Sequence, residues 1–131
     1  GAMGIEPFTY TCGRVDTPDG TPIRDYIDVE DLVAAHFLGY EYLMRGGASE
    51  LFNLGNGRGY SVKEIVSAVE RTFGLTMEKS TGEPRKGEYP NIYADASKAR
   101  AVLGFDPQKS LDQSIESLRK WYAGHPDGYA R

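Results

Sequence analysis

Four cationic side chains fall in turns or at strand ends where an anion could reach them: Arg24, Arg58, Arg85 and Lys86. The planar guanidinium fork binds phosphate oxygens in pairs, so two arginines from separate segments, Arg24 and Arg85, could clamp a diphosphate. The competing reading is that they are ordinary surface arginines. Gly55-Asn56-Gly57-Arg58-Gly59 invites a second reading, since glycines between a strand and a helix can cradle a pyrophosphate. The spacing here is G-x-G-x-G instead of G-x-G-x-x-G, and Glu78, the acidic residue in range for a ribose, sits in a charged segment. Glycines that simply permit close packing explain the turn as well. Asp16 with Asp19, and Asp28 with Asp31, suit turn and helix capping better than acid–base work. His36 and His125 lack metal-ligand spacing, and no Ser-His-Asp set is suggested. His36, in mid-helix, reads as a surface or satisfied histidine.

These groups need elements to hold them. Thr17 to Leu32, TPDGTPIRDYIDVEDL, supplies a turn at Pro18-Asp19-Gly20, an extended run with Ile23, Tyr26, Ile27 and Val29, and a helix N-cap at Asp28 followed by Glu30 and Asp31. Arg24 and Tyr26 therefore sit between a tight turn and a helix. That helix is expected from Asp31 to Arg45, with Leu32, Ala35, Leu38, Tyr42 and Leu43 on one face, stopped by Gly46-Gly47. Before it, Ile5 to Asp16 reads as extended, with Phe8 and Tyr10 alternating. After it come a short strand at Leu51 to Leu54, the glycine turn, and a helix opened by the Ser61/Glu64 capping box, with Val62, Ile65, Val66, Val69 and Phe73 inward and Gly74 at its end. Leu75 to Ser80 reads as a strand and Thr81 to Tyr89 as a loop. Asp95 caps a helix ending at Leu103-Gly104, and Ser110 with Gln113 opens a last helix through Ile115, Leu118, Trp121 and Tyr122. Alternating β and α segments followed by helices predict an α/β fold, with a small parallel or mixed sheet and four helices.

The 131 residues suit one domain, and 40% hydrophobic with 26% charged content is ordinary for a soluble protein. Gly1 to Gly4 reads as a cloning scar, leaving residues 5–131 as the expected domain, although Met3 could equally be a start codon. The lone Cys12 excludes an intrachain disulfide and argues against a structural metal site. A net charge of −4 disfavours a nucleic-acid role. With no membrane-length apolar run and no signal pattern, the expected location is the cytoplasm.

Four motifs in series carry a resemblance: TPDGTPIRDYIDVEDLVAAH, LFNLGNGRGYSVKEIV, EPRKGEYPNIYADASKARAVLGF and the closing W-Y-x-x-HPDGY. In order and separation they resemble the C-terminal part of UDP-glucose (UDP-galactose) 4-epimerases, extended short-chain dehydrogenases/reductases, from about Phe8 to Tyr129. RDYI-x-V and NLGNG alone would also fit NDP-sugar dehydratases and decarboxylases; TPDGT and HPDGY favour the 4-epimerases. The resemblance implies an N-terminal Rossmann half that holds NAD and carries a Tyr-x-x-x-Lys pair, interconverting UDP-galactose and UDP-glucose by transient oxidation at C4. It implies a C-terminal part that grips UDP: Arg24 and Arg85 on the diphosphate, Tyr26 in the same patch, Arg58 in a turn close to the nucleotide, Glu88 where the family usually has a ribose-binding aspartate, and Ile92 at the sugar-pocket wall.

The sequence departs from that family in having no G-x-x-G-x-x-G near its start and no Tyr-x-x-x-Lys; Tyr40, Tyr42, Tyr89 and Tyr93 are followed four residues later by Met44, Gly46, Tyr93 and Ser97. The expectation is a chain with no catalytic residues and no cofactor of its own, NAD belonging to the full-length family, and without epimerase activity alone. UDP-sugar binding is expected to be weak or absent in isolation. Strand edges left bare imply a homo-oligomer, such as a dimer with exchanged or paired strands, or a separate N-terminal half. A stand-alone interaction module without catalysis is the remaining alternative.

Overall fold

A computed structural model describes residues 1–4, 6–126 and 128–129. Ile5 at the head of the first extended segment, Asp127 of the HPDGY motif, and Ala130 and Arg131 at the end of the expected domain lie outside the described residues. The elements in chain order are β1 (Phe8–Tyr10), β2 (Ile23–Arg24), α1 (Val29–Met44), β3 (Tyr60–Ser61), α2 (Val62–Phe73), β4 (Lys79–Thr81), β5 (Asn91–Ile92), α3 (Ser97–Leu103) and α4 (Leu111–Gly124). The α/β class and the four helices agree with expectation, while the strands divide between two small sheets, β1-β4 and β3-β2-β5. The chain forms two compact units: one from residues 1–22, 61–90 and 110–131, the other from residues 23–60 and 91–109.

In the first unit β1 runs parallel to β4, Phe8 opposite Lys79 and Tyr10 opposite Thr81. The strand expected over Leu75 to Ser80 starts late because Met77 is turned into the core and its N–H donates to the Glu70 carboxylate at 2.8 Å. Local chemistry starts α2 where the sequence predicts. Ser61 Oγ accepts the Glu64 N–H at 3.1 Å, the Glu64 carboxylate accepts the Ser61 N–H at 2.7 Å, and Gly74 ends the helix with a left-handed φ of 65°. The Ser110/Gln113 box opens α4 in the same way. α2 packs on α4, burying Val66, Ala68 and Ile115. Leu118 and Tyr122, at helical spacing from Ile115 on α4, are exposed. Helical spacing sets a stripe, but burial also requires a neighbour, and of that stripe only Ile115 is fully covered.

In the second unit β2 and β5 pair in parallel, Ile23 opposite Asn91 and Arg24 opposite Ile92. The extended run stops at Arg24 because Asp28 caps α1, its carboxylate accepting the Glu30 N–H at 2.8 Å. Val29 therefore begins a helix instead of ending a strand. α1 packs on α3 around Ala35, Ala99, Leu103 and Phe105, with Ile27, Leu38, Tyr42, Phe52 and Leu54 against them. The small alanines let the two helices approach closely. Leu43 lies outside this face and is exposed.

Leu51 to Leu54 is not a strand. Phe52 and Leu54 alternate inward as a strand would, but no described segment pairs with them, and Leu51 is exposed. Asp95 does accept the Ser97 N–H at 2.9 Å, although the residue at the α3 cap position is Ala96. Among the described residues no helix is long and apolar enough to cross a membrane, and no group of three His, Cys, Asp or Glu side chains could hold a metal ion.

Candidate functional site

The turn preceding the RDYI motif is the best-fastened loop of the first unit. Gly20, with φ of 78°, closes it by donating its N–H to the Thr17 carbonyl at 3.2 Å. Asp19 then gathers donors: its carboxylate accepts the Thr21 N–H at 2.8 Å, the Thr21 hydroxyl at 2.7 Å and the Ser61 hydroxyl. Lys63 Nζ donates to the Asp19 carbonyl oxygen at 2.7 Å. Burial alone would raise the Asp19 pKa, but the bonds from Ser61 and Thr21 and the Lys63 charge together hold it below the ordinary carboxylate value. Its role is to hold the turn.

In the second unit the parallel pairing of β2 with β5 makes Arg24 and Ile92 direct neighbours, although they come from motifs far apart in sequence. Arg24 is half-buried, and its Nη1 donates to the Ile23 carbonyl at 2.8 Å, so one of its N–H groups orients the fork against its own strand. Tyr26 follows two residues on. Burial raises its pKa more than the Arg24 charge lowers it, so the phenol is a protonated hydrogen-bond donor at neutral pH. The exposed guanidinium of Arg58 lies over the Tyr60 ring, 4.2 Å from its centroid.

Close approach explains the glycine turn. A Cβ on Gly59 would meet Ile23 Cγ2 at 2.3 Å and the Arg24 carbonyl oxygen at 3.4 Å, and one on Gly55 would meet Asp25 Oδ2 at 2.1 Å. Close packing against the protein's own side chains therefore accounts for Gly55 and Gly59.

Sequence reasoning passed over Asp25, which holds the second unit's loops together. Its two carboxylate oxygens accept the N–H of Asn56 and of Ala94, each at 3.2 Å, and the Asn56 side-chain amide donates to the Tyr26 carbonyl at 2.5 Å. The available signal was the alternation in RDY: in an extended segment Arg24 and Tyr26 point one way and Asp25 the other. Asp31, read as a helix-end charge, is likewise a buried acceptor, taking the Gln108 and Lys109 N–H groups at 3.0 Å each.

Arg85 and Glu88 belong to the first unit, in the segment after β4. The Arg85 backbone N–H donates to the Thr11 carbonyl at 3.0 Å while its side chain is exposed; Glu88 is half-buried. The first unit also contains an open cleft of about 540 Å³ lined by Tyr10, Cys12, Arg14, Asp19, Thr21 and Lys63 among others. None of the six nominated residues lines it.

No protein-family model matches the chain. It is 40% identical over 127 residues to the UDP-glucose 4-epimerase of Lactobacillus helveticus, a match that covers 96% of this chain and 38% of that protein. Among solved structures, a UDP-glucose 4-epimerase superposes with a TM-score of 0.94 at 43% identity, covering 99% of this chain and 40% of the other. The Bifidobacterium longum UDP-glucose 4-epimerase, solved in complex with NAD+ and UDP, superposes with a TM-score of 0.87 at 33% identity over 98% of this chain and 38% of the other. The chain thus spans about two fifths of the length of these relatives.

Proposed function

We propose, for a chain that is the counterpart of the C-terminal portion of UDP-glucose 4-epimerases, that it is the UDP-sugar-binding part of such an enzyme. The interconversion of UDP-galactose and UDP-glucose belongs to the longer protein. What carries the reading is the match over nearly the whole chain to a relative solved with UDP.

In the second unit Arg24 supplies a fork for diphosphate oxygens, Tyr26 a protonated phenol beside it, and Arg58 a solvent-facing cation. Ile92, next to Arg24 across the ladder and 52% exposed, supplies an apolar wall for the sugar. In the first unit Arg85 and Glu88 are assigned to the diphosphate and the ribose by motif position. NAD is not assigned to this chain, whose sequence has neither the G-x-x-G-x-x-G motif nor the Tyr-x-x-x-Lys pair.

The deciding experiment is a thermal-shift titration with UDP. A ligand at 100 times its Kd stabilises the folded state by about 2.7 kcal/mol, so UDP binding by the isolated chain, expected to be weak, is read as a rise in Tm confined to high UDP and lost in Arg24→Ala. Absence of any shift at millimolar UDP would remove binding from the isolated chain. In a coupled assay supplied with NAD, the purified chain is expected to leave UDP-galactose unconverted, and measurable UDP-glucose production would overturn the assignment of chemistry to the rest of the enzyme.

A further inference from the structure

The open cleft of the first unit is left unused by the UDP reading. It encloses about 540 Å³, and Tyr10, Arg14, Asp19, Thr21, Lys63 and Thr81 are among its walls. All six belong to the first unit, so one compact body builds it. Its two cations converge on one turn. Lys63 Nζ donates to the Asp19 carbonyl oxygen at 2.7 Å, and a Cβ on Gly20 would meet Arg14 Cγ at 3.4 Å and Nε at 3.9 Å, so the arginine lies over the very next residue.

In a chain of net charge −4 carboxylates are in excess, and Arg45, Arg71, Lys79, Lys98 and Lys109 each reach one. Among the described residues neither Arg14 nor Lys63 forms an ion pair; Lys63 takes the Asp19 carbonyl instead of its carboxylate. Lys63 also stands in the first turn of α2, at the positive end of the helix dipole, where a cation is disfavoured.

The carboxylate in the cleft is already spent. Asp19 accepts the Thr21 N–H, the Thr21 hydroxyl and the Ser61 hydroxyl. The remaining lining is rich in donors: the Arg14 fork, the further N–H groups of Lys63, the Thr81 hydroxyl, and the Tyr10 phenol, which burial keeps protonated. A free sugar, a nucleobase or an ammonium group would need acceptors, and the strongest one here is occupied. A group made of acceptor oxygens suits the cleft better.

We propose that this cleft binds the phosphate group of a small phosphate monoester, Arg14 holding two oxygens in its fork and Lys63 supplying the second positive charge. Such a phosphate carries about −1.5 to −2 near neutral pH, so it gains more from two cations than a singly charged carboxylate does. The volume leaves room for the body of the ester, since small-molecule sites run from roughly 300 to 1,000 Å³. The site is independent of the UDP reading, because none of the six residues assigned there lines it.

Amide correlation spectra of the isotope-labelled full chain, titrated at constant ionic strength with inorganic phosphate, glycerol phosphate and glycerol, test it. Saturating shifts at Gly13, Arg14, Gly20, Thr21 and Lys63 are expected with both phosphates and none with glycerol. Arg14→Gln is expected to weaken binding roughly tenfold or more with Tm unchanged, because this exposed side chain makes no hydrogen bond among the described residues. Arg14→Lys, which keeps the charge without the fork, is expected to fall between. Arg24→Ala is expected to leave the phosphate titration as it was.

No saturating shift up to about 50 mM phosphate, shifts that sodium chloride reproduces, or shifts that persist unweakened in Arg14→Gln overturn the proposal. Binding of inorganic phosphate with glycerol phosphate excluded overturns it equally, since the cleft then has no place for an ester. A UDP response lost in Arg24→Ala beside a silent cleft removes this site and leaves the UDP reading standing; the opposite pattern does the reverse.

Discussion

The two units fasten themselves over different distances. The first relies on side chains that reach three or four residues along the chain: the Ser61/Glu64 and Ser110/Gln113 boxes, and the Thr17–Thr21 turn. The second has shorter local bonds at its helix starts, Asp28 accepting from Glu30 and Asp95 from Ser97. It otherwise depends on carboxylates that accept backbone N–H groups from distant segments, Asp25 from Asn56 and Ala94, and Asp31 from Gln108 and Lys109. In the first unit Asp19 approaches this device, reaching the Ser61 hydroxyl as well as its neighbour Thr21, and Glu70 does so over seven residues by accepting the Met77 N–H. A local staple tolerates the loss of any one member, whereas a distant carboxylate is the shared anchor of two loops, and its removal frees both.

The sharpest way to break the comparison is through the second unit's core, where few large side chains do the packing. Phe105→Ala, at a position 2% exposed, is expected to cost about 3–5 kcal/mol by urea denaturation; a loss below about 1 kcal/mol would mean that this core is not what holds α1 to α3. Next, Asp31→Ala leaves two backbone N–H groups without their acceptor and is expected to cost about 1–3 kcal/mol. Hydrogen exchange should quicken at Gln108 and Lys109 together, and unchanged exchange there would refute the anchor.

Smallest is Asp19→Asn, under about 1.5 kcal/mol at neutral pH because the remaining amide oxygen still accepts from Thr21. Its value is in its pH dependence. The folded pKa of Asp19 lies below its ordinary 3.8, so the stability it contributes is fully present above that value and is lost as pH falls through the folded pKa. The gap in Tm between wild type and Asp19→Asn is therefore expected to be constant from neutral pH down to the ordinary carboxylate range and to close below it. A gap that widens on acidification would reverse the sign.

The same contrast explains what could be read from the sequence. Capping boxes, the Gly74 and Gly104 helix ends and the Pro18-Asp19-Gly20 turn were legible because each is a relation between residues a few positions apart. The inner faces of α1 and α2 were legible through Ala35, Leu38, Val66 and Phe73. Leu51 to Leu54 misled because its alternation is that of a strand, while a strand also requires a partner. Leu43 misled because periodicity does not say how far the neighbour extends.

The candidate site divides similarly. Arg24, Tyr26, Arg58, Arg85, Glu88 and Ile92 were nominated from charge and motif position. Only the β2–β5 register shows that Arg24 and Ile92 are neighbours, and the alternation in RDY sets Asp25 apart from Arg24 and Tyr26 without showing that its partners are Asn56 and Ala94.

Asp25 also bears on the order in which the chain assembles. Its partners lie 31 and 69 residues away, and those of Asp31 lie 77 and 78 away. The entropy of closing such loops must be met before these bonds form, whereas capped helices form from neighbouring residues alone. α2 and α4 should therefore gain protection early in a refolding pulse-labelling experiment, with the amides of Asn56, Ala94, Gln108 and Lys109 among the last. The Arg24 guanidinium on β2, beside Asp25, then takes its final position only at the end of folding.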